Sequence, residues 1–160
     1  MEERTAEILV DWERLSDCLP TVTLPGFVRG EVSGETETTI APPRSTATVI
    51  YGKAGRDAEA EAKERSREIA VTINDEGEDE ELIAEMLKVS GESERRVKVK
   101  GKYDGKEGTW RDESGFTRFD RVFLVAKRFV VEIHSQGVDD MALVNKLMDS
   151  MDLEKLAKLK

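Results

Sequence analysis

Phe116-Thr117-Arg118-Phe119-Asp120-Arg121-Val122-Phe123-Leu124-Val125-Ala126-Lys127-Arg128-Phe129-Val130-Val131-Glu132-Ile133-His134-Ser135 decides how this chain is read. Two runs rich in β-branched and aromatic residues flank a short polar break, which is the pattern of a hairpin. Val122-Phe123-Leu124-Val125 and Phe129-Val130-Val131 are continuously apolar rather than alternating. A strand of that kind has both faces covered, so these two belong at the centre of a sheet. Ala126-Lys127 is the expected tight connection, although it lacks the Asn-Gly chemistry of the usual two-residue turn.

Working outward, Arg95 to Ser135 reads as a meander. Val97 and Val99 alternate with Arg96, Lys98 and Lys100. Tyr103-Asp104-Gly105-Lys106 reads as a turn, with a short strand at Thr109–Asp112. Upstream, Ile69, Val71 and Ile73 alternate within a strand over Glu68–Asn74, and Thr46–Tyr51 is a second β-rich run. Ala58-Glu59-Ala60-Glu61-Ala62-Lys63 has the propensity of a helix but alternates strictly like a strand, and the hairpin with Glu68–Asn74 is the favoured reading. Phe27–Ser33 reads as an edge strand.

Three helical patterns complete the chain. Residues 5–18 form an amphipathic repeat that Pro20 stops. Asp79 to Ser90 has Asp79 as cap, Glu80 and Glu81 at the positive end, and Gly91 as its C-terminal stop. Met141, Val144, Leu147 and Met148 line a helix capped by Asp139 or Asp140, and Asp152–Leu159 follows as one more helical segment. The expected fold is therefore α+β: a curved antiparallel sheet of about six to eight strands, packed by N-terminal, central and C-terminal helices, as one domain over residues 1–160.

Composition narrows the functional classes. The 160 residues carry a net charge of −9, which argues against a general nucleic-acid binder. The charge is uneven: residues 1–93 hold 22 acids and 10 bases, residues 94–160 hold 12 acids and 15 bases. One cysteine, Cys18, excludes an intramolecular disulfide. No stretch approaches the roughly 20 apolar residues of a membrane helix. The first residues lack the basic and apolar regions of a signal peptide, so the reading is cytoplasmic as the sequence stands, or exported if a leader has been removed.

Each candidate site stands beside a structural reading. Arg96, Lys98, Lys100 and Lys102 share one face of an expected strand and suit a protein or anionic partner. They equally suit pairing with Glu107 or Asp112, or protection of a sheet edge. His134, the only histidine, pairs with Glu132 or titrates near neutrality, but no spacing supports a triad. Trp12 and Trp110, with His134, are candidate pocket residues, although large aromatics are usually core. Asn74 to Glu81 is acidic enough for calcium, lacks the EF-hand order, and reads as a solvated turn plus helix cap. Gly101 to Gly108 lacks the ending of a phosphate loop. Cys18 reads as a structural thiol beside Asp17. No catalytic, cofactor or metal assignment follows.

Certain short stretches recur in a known order: Trp12, Leu15 and Leu19-Pro20; Pro25-Gly26-Phe27 with Gly30-Glu31 and Gly34-Glu35; Ile69 to Asp75; Arg128 to Ile133, then Gly137-Val138-Asp139-Asp140 and Asp152 to Leu156. This order resembles a group of small uncharacterised bacterial proteins, many of them exported, and the resemblance runs from residue 12 onward. The layout of a curved antiparallel sheet with a late hairpin and a C-terminal helix is similar to PsbP-like proteins. That likeness implies a partner-binding or assembly-assisting role and transfers no functional residue. The expected function is thus a non-catalytic binding or accessory module contacting a protein or an anionic partner. The alternatives are a small-ligand carrier, a carboxylate-based enzyme, or a homo-oligomer joined through an apolar strip on the 141–159 helices.

Overall fold

Val125-Ala126-Lys127-Arg128-Phe129 reverses the chain between two central strands in the computed structural model, which describes residues 9–39, 43–53, 67–77, 79–111, 113, 115–138 and 140–159. Those strands are β7 (Thr117–Val125) and β8 (Phe129–Gln136). Before them come β1 (Phe27–Arg29), β2 (Ser33–Glu37), β3 (Arg44–Lys53), β4 (Glu68–Asp75), β5 (Glu94–Val99) and β6 (Tyr103–Arg111). All eight form one open antiparallel sheet in the order β1-β3-β4-β8-β7-β6-β5, with β2 also paired to β3. Among the described residues four short helices accompany it: α1 (Trp12–Ser16), α2 (Glu80–Leu87), α3 (Met141–Ser150) and α4 (Leu153–Ala157). The architecture is α+β and mostly sheet.

Register separates two faces. Ala47, Val49 and Tyr51 of β3 stand beside Ile73, Val71 and Ile69 of β4, which stand beside Val131, Ile133 and Ser135 of β8. These residues are buried and define the inner face. They share one buried cluster with Leu15, Leu19, Val144, Leu147 and Leu156. Each large apolar side chain so buried contributes about 1.5–3 kcal/mol. The opposite, outer face carries Thr72, Glu132, His134 and Asp120, and only Val122, Val130 and Leu124 on it meet Ile83, Met86 and Leu87 of α2.

The apolar strip on the 141–159 helices lies in that inner cluster, with Val144, Leu147 and Leu156 at 0% exposure. It therefore offers no surface for oligomer formation. Other expectations change in detail. Among the described residues the first helix is confined to Trp12–Ser16. The Ala58–Lys63 strand lies outside the described residues. Helix α2 is capped by Asp79, whose carboxylate accepts from the Leu82 amide, but it ends at Leu87 in an extended Lys88 rather than at Gly91. Tyr103 to Lys106 is strand, not turn: Tyr103 is buried with its ring centroid 5.9 Å from that of Phe123, and Gly105 lets β6 lie close, since a Cβ there would sit 2.7 Å from Phe123 Cβ. The reversal falls earlier, where the Lys102 amide donates to the Val99 carbonyl. Asp75 and Glu76 are buried rather than solvated, because Asp75 is the partner of a buried arginine.

That arginine is Arg128. Its Nε and Nη2 donate to Asp75 Oδ1 and Oδ2 at 2.7 and 2.8 Å. The Gly77 and Val10 amides also donate to those two oxygens, at 3.0 and 2.8 Å. Removing one partner of a buried pair strands the other charge. Arg128→Met is expected to lower stability by about 3–5 kcal/mol, read from urea unfolding, and the apolar pair Asp75→Leu with Arg128→Met should recover part of that loss.

The turn itself is strained. Ala126 and Lys127 both adopt left-handed backbone, with φ of 57° and 60°, and the Arg128 amide donates to the Val125 carbonyl. Such a conformation costs non-glycine residues about 1 kcal/mol or more each. Replacing Ala126-Lys127 by Asn-Gly should raise stability by roughly 1 kcal/mol, seen as a melting temperature higher by about 2–4 °C.

Candidate functional site

The outer face carries a polar relay across five adjacent strands. Thr46 on β3 donates to Asn74 Oδ1 on β4 at 3.1 Å. Asn74 Nδ2 donates to Glu132 Oε2 on β8 at 2.8 Å. His134, two residues on, has Nδ1 2.7 Å from Asp120 Oδ1 on β7. Arg118 Nη2 donates to Asp120 Oδ2 at 2.9 Å, and its guanidinium carbon stands 5.0 Å from the ring centroid of Trp110 on β6. Alternation along each strand puts these side chains on one face, and pairing of Asp120 with His134 and of Arg118 with Trp110 aligns them.

Two carboxylates surround the imidazole, so it holds its proton. The Asp120 hydrogen bond, then the attraction of Glu132, lifts the His134 pKa from 6.5 to about 9 against the opposing effect of burial. Asp120 makes the firm hydrogen bond, whereas Glu132 Oε1 at 3.7 Å from Nε2 acts by charge. Burial disfavours the charged form of Asp120, but hydrogen bonds from His134 and Arg118 outweigh it and keep its pKa low. The His134 contact also leads in holding Glu132 low. Two cations thus balance two anions, and an imidazolium of this kind is a poor general base.

A histidine whose pKa rises on folding stabilises the fold fully below its unfolded value and loses that contribution as pH climbs through the folded value. Stability should therefore fall from about pH 6.5 to about pH 9. His134→Gln should flatten that decline in melting temperature, and the His134 ring proton should titrate near pH 9 by NMR.

The expected pocket residues do not meet. Trp12 lies with the inner cluster, its amide bonded to Thr36 Oγ1 and its ring against Gly34, where a Cβ would sit 2.5 Å from Trp12 Cε3. Trp110 and His134 belong to the outer face. A cleft of about 210 Å³ does open beside His134, lined by Glu68, Ala70, Arg118 and Asp120. Cys18 is fully buried, and burial pushes its thiol up to about 11, which leaves it protonated.

The four basic residues are also divided. Arg96 and Lys98 stand on the outer face of β5, opposite Lys106 and Asp104. Lys98 Nζ is 2.8 Å from Asp104 Oδ1. Lys100 sits in the turn with φ of 53° and comes within 3.8 Å of Asp149 on α3. Lys102 lies over the Tyr103 ring. Glu107 pairs with Arg95 and Arg121 instead. Among the described residues Arg96 has no ion-pair partner. It borders an open cleft of about 720 Å³ between α2 and the β5–β6 pair, with Lys88, Leu87, Val97 and Leu124.

Sequence reading missed Asp120 as the partner of His134, and Arg118 and Asn74 as the donors to Asp120 and Glu132. The signal available was parity: pairing Val125 with Phe129 makes Asp120 the neighbour of His134. Comparison with family models, curated proteins and solved structures finds no match for this chain. No helix among the described residues is long and apolar enough to cross a membrane.

Proposed function

We propose that this protein is a non-catalytic binding module that takes an extended acidic segment of a protein partner along the edge strand β5. The observation that carries the reading is Arg96, an exposed guanidinium without an ion-pair partner among the described residues, on a strand with one open edge. Lys98, with its side chain 59% exposed, stands beside Arg96 on the outer face, whereas Arg95 faces the other way and pairs with Glu107. An added strand gains main-chain hydrogen bonds at such an edge, while alternate side chains set the choice of partner. The chain's acidic excess does not oppose this locally, because residues 94–160 carry more bases than acids. The self-neutralised His134 relay favours a binding role over catalysis.

A small-ligand carrier has one observation in its favour, the cleft of about 720 Å³, a size that ligand sites share. The strand-edge reading is preferred because it uses Arg96 and the free β5 backbone together.

A capped peptide alternating Glu with Val should bind the intact protein and protect β5 amides from hydrogen exchange. Arg96→Glu with Lys98→Glu should weaken it about tenfold, as expected for two exposed ion pairs. Equal binding of a peptide alternating Lys with Val would reject the reading, as would no binding of either.

A further inference from the structure

Among the described residues two edges of this sheet have no further strand beside them, and they differ in sign. Among the described residues β2 pairs only with β3, and β5 only with β6. Exposed Glu35 and half-buried Glu37 lie on β2, whereas β5 carries Arg96 and Lys98 on its outer face with one acid, Glu94. Glu35 and Glu37 have no ion-pair partner among the described residues, and neither does Arg96.

Direction and face also match. Six antiparallel pairings lead from β2 through β3, β4, β8, β7 and β6 to β5, so β2 and β5 run the same way. Glu35 stands opposite Thr46, and Thr46 opposite Asn74, which puts Glu35 and Glu37 on the outer face. Arg96 and Lys98 occupy that same face at the far edge. Both pairs are spaced two residues apart. When a second copy is set beside the first with faces aligned, β5 meets β2 as a parallel strand about 4.8 Å away. Arg96 then neighbours Glu35, and Lys98 neighbours Glu37, within reach of cross-strand pairing.

We propose that copies of this chain join edge to edge, β5 of one against β2 of the next, through Arg96–Glu35 and Lys98–Glu37. The inference rests on the β5 reading above and names the acidic extended segment as the chain's own β2. Pairing of β2 with β2 sets Glu35 and Glu37 of two copies together, and pairing of β5 with β5 does the same with Arg96 and Lys98, since the acid on that face, Glu94, is already held by Lys106 and Ser90. The contact is therefore heterologous and leaves a free edge at each end, so association continues rather than closing as a dimer. Lys98 gives up or shares Asp104, an exposed pair of small value.

Sedimentation of the full chain at low and high salt, over a range of concentrations, tests this. The weight-average mass should grow with concentration at low salt and fall as salt screens the pairs. Arg96→Glu with Lys98→Glu should weaken association about tenfold, and so should Glu35→Lys with Glu37→Lys. An equimolar mixture of those two variants, and a chain carrying all four substitutions, should recover it. Circular dichroism verifies folding of each variant; if Glu37→Lys disturbs the fold, the exchange of Arg96→Glu and Glu35→Lys alone replaces it. A protein that stays monomeric at every concentration overturns the inference while leaving acidic-peptide capture standing on its own titration. Association unaffected by either reversal, or not recovered by the mixture and the fourfold variant, overturns it as well.

Discussion

The Asp75–Arg128 pair is the constraint around which the rest of the structure is arranged. Burying two charges costs several kcal/mol each, so the pair is tolerable only with its geometry complete. Here the arginine is bidentate, and backbone amides of Val10 and Gly77 supply further donors to the carboxylate. Asp75 ends β4, Arg128 ends the β7–β8 turn, and Val10 leads into α1. One carboxylate therefore joins three parts of the chain distant in sequence. The left-handed Ala126 and Lys127 persist in that setting, where the residue that follows them is held by two hydrogen bonds.

Alternation along the strands gives the sheet two different faces. The inner one is apolar and closed by side chains from α1, α3 and α4. The outer one is mostly polar, with apolar residues where α2 meets Val122, Val130 and Leu124 and at exposed Val28 and Ile50 near the opposite edge. On the polar part, charges are arranged to cancel: His134 lies between Asp120 and Glu132, and Arg118 takes the second oxygen of Asp120. At the sheet's margins Glu35 on β2 and Arg96 on β5 have no ion-pair partner among the described residues, while Lys98 is paired with Asp104 and Arg95 with Glu107.

Much of the fold was legible in the sequence because it depends on short-range pattern. The apolar runs around Val122 and Val130 marked central strands, alternation at Ile69, Val71 and Ile73 marked β4, and Asp79 and Asp140 marked helix starts that their carboxylates do cap. The errors came where tertiary contact overrode local preference. Tyr103-Asp104-Gly105-Lys106 has turn composition, yet burial of Tyr103 against Phe123 holds it in β6. The connection after Val125 was read as two residues and has three, because Arg128 is drawn into the loop by Asp75.

That one residue explains why the site was harder to see than the fold. A two-residue connection pairs Val125 with Arg128 and sets inner side chains against outer ones along the whole hairpin; pairing with Phe129 restores parity and brings Asp120 to His134. By itself, then, the sequence determined the central strands, the helix caps, the segregation of charge between the halves of the chain and the basic character of β5, but not β2 or the first half of β6. Only the tertiary structure decided which residues neighbour His134, that Trp12 and Trp110 lie on opposite faces, and that the acidic and basic strands occupy opposite edges. Composition and periodicity act along the chain, whereas register and strand order depend on contacts between residues far apart in it.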